Sequence, residues 1–253
     1  MANGERGFHD HFSGHAADYA RYRPTYPDAL FVTLAGLVER HDLAWDCATG
    51  NGQAAAGLAR HFGRVLATDA SPEQIASAPP CPGVEFRVAL GEQSGLEPAS
   101  VDLALVAQAL HWLDRDRFYA EAGRVVRRGG VLVASMYDRL TIEGPVAGLV
   151  ERLHDEVLSY WPPERRHTTI AGFRALPFPQ PEIPLPEIHL DQDWPLERLL
   201  GYLGTWSAVR RHRAATGHDA VAALAPEFAR AWGDPAAARR VSWPLIVRAH
   251  RMP

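Results

Sequence analysis

The densest group of residues able to do chemistry is the run WDCATGNGQAA at 45–55, where Asp46 closes an apolar segment and Ala48, Gly50 and Gly52 lead into a helix-forming stretch. Glycines at such a turn let the backbone bend sharply and approach a ligand without Cβ clashes. A helix beginning there points its free N–H groups at that ligand. Asp69 follows nineteen residues after Gly50, in VLATDAS at 65–71, and an acid so placed can grip both hydroxyls of a ribose. Loop and acid in this order imply an adenosine-containing cofactor.

The loop also satisfies the dinucleotide pattern GxGxxA, so a nicotinamide cofactor and hydride transfer stay open on glycine spacing alone. Three features favour S-adenosylmethionine. Asp46 sits where a pyrophosphate would be repelled and an ammonium group held. About forty residues of largely helical material precede the loop, whereas a dinucleotide site usually opens its domain. A last strand near the C-terminus, with helices before it, suits a sheet of seven strands with a reversed edge. No GK[ST] follows the loop, which excludes Walker-type phosphate binding.

A second group, QALHWLD at 108–114, ends an apolar strand and places Gln108, His111 and Trp112 at its rim. Histidine can accept a proton near neutral pH, which matters if an acceptor must lose one. Trp112 reads as a wall under the adenosine or beside the methyl group. His9, His11 and His15 have spacing that admits a metal, but no second ligand set accompanies them, so they read as solvated and no metal is expected.

Those groups need a frame. Strands are expected at Leu43–Cys47, Arg64–Thr68, Val84–Ala89, Val101–Ala107 and Val131–Met136, with helices at about 28–40, 53–62, 71–77 and 116–127. The unbroken apolar run VDLALVA (101–107) suits a strand covered on both faces. Such alternation predicts an α/β fold with a doubly wound, mostly parallel, Rossmann-like sheet whose ligand sits beyond the C-terminal ends of its strands. Farther along, helices are expected at 144–160, 195–209 and 218–231. An edge strand is expected near Ile183–Leu190, after a proline-rich connection, and a last strand at Val241–His250. The expected organisation is one domain over 1–253: an N-terminal lid and helix (1–42), a cofactor-binding core (43–136) and a helical substrate cap with the final strands (137–253).

The chain has 253 residues, 26 basic and 30 acidic side chains and a formal charge of −4; every basic residue other than histidine is arginine. Mild acidity argues against nucleic acid as a partner, and no apolar run suits a membrane span or signal peptide. Cys47 and Cys81 give neither a disulfide framework nor metal spacing. The expectation is a cytoplasmic protein, monomer or homodimer, acting on a small molecule.

The segments YARYRPTYP (19–27), WDCATGNGQA (45–54), VLATDAS (65–71), SVDLALVAQALHWLD (100–114), EAGRVVRRGGVLV (121–133) and YLGTWSAVRR (202–211) resemble class I S-adenosylmethionine-dependent methyltransferases. The similarity is to the small-molecule branch that holds trans-aconitate methyltransferase-like, or type 11, proteins. It implies a helical cap, and methyl transfer from S-adenosyl-L-methionine, leaving S-adenosyl-L-homocysteine. Tyr19 and Arg23 would belong to a flap over the cofactor. Asp46, Ala48, Gly50, Gly52, Asp69, Ala70 and Gln108 would line the cofactor. Ala48 replaces the family's first loop glycine. Leu90 stands where many relatives carry an acid facing the adenine amino group, a task left here to Glu92 and the backbone of Gly91. Two other functions remain open at this stage: a non-catalytic S-adenosylmethionine-binding module and an NAD-dependent oxidoreductase.

Overall fold

Strands and helices alternate because apolar runs are punctuated by glycines, prolines and capping side chains. The computed structural model describes residues 21–161 and 170–253. Its first part runs α1 (Asp28–Ala35), β1 (Leu43–Cys47), α2 (Gln53–Leu58), β2 (Arg64–Asp69), α3 (Pro72–Ser77), β3 (Val84–Val88), β4 (Val101–Ala107), α4 (Arg115–Val125) and β5 (Val126–Tyr137). Then come β6 (Thr141–Ile142), α5 (Pro145–Glu156), α6 (Ile170–Ala175), β7 (His189–Trp194), α7 (Leu196–Gly204), α8 (Ser207–Thr216), α9 (Ala220–Trp232) and β8 (Arg239–Arg251).

The strands join in the order β3-β2-β1-β4-β5-β8-β6, with β7 also paired to β8. β1 to β5 are mutually parallel and β8 runs against its neighbours, which is the expected doubly wound sheet with a reversed edge. It has eight strands where seven were expected, because β8 is thirteen residues long. Leu245–Arg251 pairs with β5, while Arg239–Pro244 overhangs and carries β6 and β7. The last strand thus belongs to the same sheet as the cofactor half.

Three elements depart from the sequence expectation for visible reasons. β5 begins at Val126, directly after α4, because Val126 pairs with Val101 before the register shifts. Gly130 permits that shift, since a Cβ there would stand 2.8 Å from the Asp102 carbonyl. The helix expected over 195–209 is broken: Thr205 Oγ1 donates to the Tyr202 carbonyl at 2.6 Å, and Trp206 turns extended into a buried position. β7 starts beyond Pro186 because Pro184 and Pro186 lack the N–H that a ladder requires.

Two apolar clusters cover the faces of the sheet, and a third packs α5 and α7–α9 against β7 and β8. At the N-terminal end of the strands, buried Asp102 accepts the amides of Asp42 and Leu43 at 2.7 and 2.8 Å and pairs with Arg127 at 3.0 Å. That staple joins β1, β4 and β5 at the edge opposite the crevice. Among the described residues, no helix is long and apolar enough to cross a membrane.

Candidate active site

The parallel register aligns the C-terminal ends of β2, β1, β4 and β5, since Asp46 pairs with Ala67 and Leu105, and Ala107 with Ser135. The sheet order reverses direction between β1 and β4, which is where open α/β sheets place their ligands. Around that point the chain adopts unusual conformations. Ala48, Gly50 and Gly52 have φ of 54°, 56° and 87°, and Gln108 has 58°. A single non-glycine residue in the left-handed region is strained by roughly 1–2 kcal/mol, so two such residues at one crevice mark a backbone fixed by its surroundings.

Asp69 is the knot between two loops. Its Oδ2 accepts the Gly50 N–H and its Oδ1 the Ser71 N–H, both at 2.9 Å. Thr49 N donates to the Thr68 carbonyl at 2.9 Å, which seats the loop on β2. Gly52 is obligatory for packing as well as for φ, because a Cβ there would lie 2.7 Å from the Phe86 ring.

Asp46 is buried at the end of β1. One of its oxygens accepts the Thr49 hydroxyl, while Oδ1 has no hydrogen-bond partner among the described residues. Burial pushes its carboxyl up to about 7, against the lowering effects of the Thr49 hydroxyl and the Ala55 amide. Such a group gains most from a cation placed beside it.

The other wall comes from two turns that lie side by side. Gly91 packs between Cys47 and Leu113, where a Cβ would meet their side chains at 2.8 and 3.1 Å. Next to it, Glu92 Oε1 accepts the Asp114 N–H at 2.8 Å, bracing the turn that caps α4. Below, the buried Glu121 takes the N–H and Oγ of Ser94 and pairs with Arg124, which holds its carboxyl down at about 2. His111 and Trp112 sit on the braced turn with ring centroids 4.7 Å apart, Trp112 partly exposed. Gln108 ties the end of β4 to that of β5: its N–H donates to the Ser135 carbonyl at 2.8 Å and its Nε2 to the Tyr137 carbonyl at 3.0 Å. Ala70, half-buried, follows Asp69 on the β2 side.

Arg23 is buried against the end of β5 and α7. Its Nη1 donates to Tyr137 Oη at 3.4 Å, its Nη2 to the Thr205 carbonyl at 3.5 Å, and it lies over the Tyr202 ring. The Tyr22 ring presses on Gly201, and Gln192 Nε2 donates to Thr25. Residues 22–26 therefore rest on α7 and on the end of β5. Tyr19 and the three N-terminal histidines lie outside the described residues.

Two residues that the spacing arguments passed over belong to this neighbourhood. Tyr137 meets Gln108 through its carbonyl, Arg23 through its hydroxyl and Tyr26 through its ring. Its signal was faint: an aromatic ending an apolar strand reads as core. Gln74, buried on α3 beneath the loop, carried the stronger one, a polar side chain at an inward helix position.

Comparison with known proteins agrees with this geometry. The family described as Methyltransferase domain matches residues 45–134. A Dictyostelium discoideum protein named as a methyltransferase is 32% identical over 205 residues, spanning 79% of this chain and 78% of its own length. An uncharacterised methyltransferase of Mycobacterium tuberculosis is 34% identical over 122 residues, 48% of this chain and 49% of that protein. A solved structure from Anaeromyxobacter dehalogenans, described as a type II methyltransferase, superposes with a TM-score of 0.86 at 46% identity, covering 91% of this chain and 98% of that one.

Proposed function

The chain belongs to the class I S-adenosylmethionine-dependent methyltransferases, and from that premise we propose that it methylates a small organic acceptor in the crevice over β1, β2, β4 and β5. The observation that carries the reading is the pair of acids flanking the loop, Asp46 with an unpartnered buried oxygen and Asp69 with both oxygens turned to loop amides. This donor set fits S-adenosylmethionine, a cation at one end and a ribose at the other. It fits a dinucleotide poorly, since Asp46 would meet a pyrophosphate.

When bound, the cofactor supplies an electrophilic methyl group on a sulfonium. Asp46 holds the ammonium, and charging it there restores the carboxylate that burial disfavours. Asp69 takes the ribose hydroxyls. Ala48, Gly50 and Gly52 admit close backbone approach, while Ala70, Gly91, Glu92 and Gln108 shape the adenosine wall. Glu92 braces the Asp114 turn through Oε1, which leaves Oε2 to accept from the adenine amino group. His111 orients the acceptor and, when neutral, accepts its proton at a ring nitrogen. Trp112 shields the reacting atoms from water. Arg23, docked through Tyr137 and α7, belongs with Tyr19 to the N-terminal lid that covers the cofactor in a one-domain enzyme.

A small acceptor is supported by the formal charge of −4 and the absence of lysine, which leave no cationic excess for a polyanion. The enzyme works as a monomer or homodimer. Screening small carboxylic acids and phenols for S-adenosylhomocysteine release tests the reading. Turnover with a nucleic acid or a protein, and with none of the small acceptors, would contradict it.

A further inference from the structure

Gln74 lies five residues past Asp69, in the first turn of α3, where its N–H donates to the capping Ser71 Oγ at 3.2 Å. The residue is only 8% exposed, yet its carboxamide makes no hydrogen bond among the described residues. The side chain is aimed at the glycine loop: Oε1 lies 3.7 Å from where a Cβ on Gly50 would stand. The Gly50 N–H is the same one that binds Asp69 Oδ2. The carboxamide is thus held beside the loop with its donors and acceptor unused by the described residues.

We propose that Gln74 is a further cofactor-binding residue that completes the ribose site that Asp69 begins. An ionised aspartate only accepts hydrogen bonds. Each Asp69 oxygen already takes one backbone N–H, so the ribose hydroxyls donate to what remains. Their own oxygens are then left needing donors. Gln74 Nε2 carries two, and a half-turn of the amide exchanges Oε1 and Nε2 without changing its packing. The inference rests on Asp69 being the ribose acceptor.

The test is calorimetric titration of S-adenosylhomocysteine into wild type, Gln74→Met and Gln74→Ala, with thermal melting of each unliganded protein. Methionine fills similar volume without the amide's donors. The expected result is affinity lowered about 5–20-fold, as for a lost hydrogen bond, with melting of Gln74→Met unchanged or raised. The 2′-deoxy and 3′-deoxy analogues locate the contact: removing at least one hydroxyl should weaken binding less in Gln74→Met than in wild type. The proposal is overturned by affinity within twofold of wild type in whichever variant melts within about 3 °C of it. It is equally overturned if affinity falls while both deoxy penalties stay the same. Asp69→Ala separates the two readings: full affinity there removes the ribose assignment itself, whereas a loss there with none in Gln74→Met removes only this proposal.

Discussion

The cofactor crevice and the helical layer over β8 are held in opposite ways. Around residues 46–71 the backbone is the material: amides of Thr49, Gly50 and Ser71 fix the loops, and Ala48, Gly50 and Gly52 hold positive φ. In the layer, side chains do the holding. Trp194, Trp232 and Trp243 are essentially inaccessible, Trp194 and Trp243 meet at 4.8 Å, and Trp243 Nε1 donates to Tyr202 Oη at 3.0 Å. A backbone site tolerates few residue types at fixed spacing. A packed layer tolerates any set of side chains that fills it, so the first region should answer to mutation in binding and the second in stability.

The largest effect belongs to the layer. Trp243→Ala should destabilise the protein by about 3–5 kcal/mol, the usual loss for a buried tryptophan, read by denaturant or thermal unfolding. S-adenosylhomocysteine affinity of the folded fraction should stay within about twofold; a parallel loss would break the division between the regions. His111→Ala should lower turnover roughly 10²-fold if the imidazole acts as a base. Cofactor affinity should meanwhile stay within about threefold, since the role assigned to it is toward the acceptor. Steady-state rates with an identified acceptor check this, and His111→Gln separates orientation from proton transfer.

Asp69→Ala should weaken S-adenosylhomocysteine at least about tenfold by calorimetry, and loosen the loop as well, because Gly50 and Ser71 lose their acceptor. A smaller change is expected with pH. Burial raises the Asp46 carboxyl to about 7, above its unfolded value, so the native state holds more protons than the unfolded one between about pH 4 and 7. Its contribution to stability therefore falls with rising pH across that window and is flat above it. Binding an ammonium selects the carboxylate, so affinity should rise about tenfold from pH 6 to 8, and Asp46→Asn should remove that dependence. Smallest of all, Ala48→Gly should raise melting stability by at most about 1 kcal/mol, by relieving a left-handed alanine.

The same contrast explains what the sequence revealed. Asp46, Gly50, Gly52 and Asp69 were legible because φ and polarity restrict those positions to few residue types, and β4 was legible because its apolar run is unbroken. Gln108 and His111 were located by their place after that strand. The break at Thr205–Trp206 was not legible, since it depends on a hydroxyl competing for a carbonyl and on an indole finding a distant cluster. β6 was missed because it exists only by pairing with the overhang of β8. Tyr137 and Gln74 escaped for a related reason: each owes its significance to neighbours far away in the chain or on another loop.

The most direct test of the account is a crystal structure of the protein with S-adenosylhomocysteine. The account predicts the ribose hydroxyls on Asp69, the ammonium beside Asp46 Oδ1 and the sulfur facing the turn of His111 and Trp112. A ribose bound elsewhere, or His111 turned into the core away from the sulfur, would contradict it.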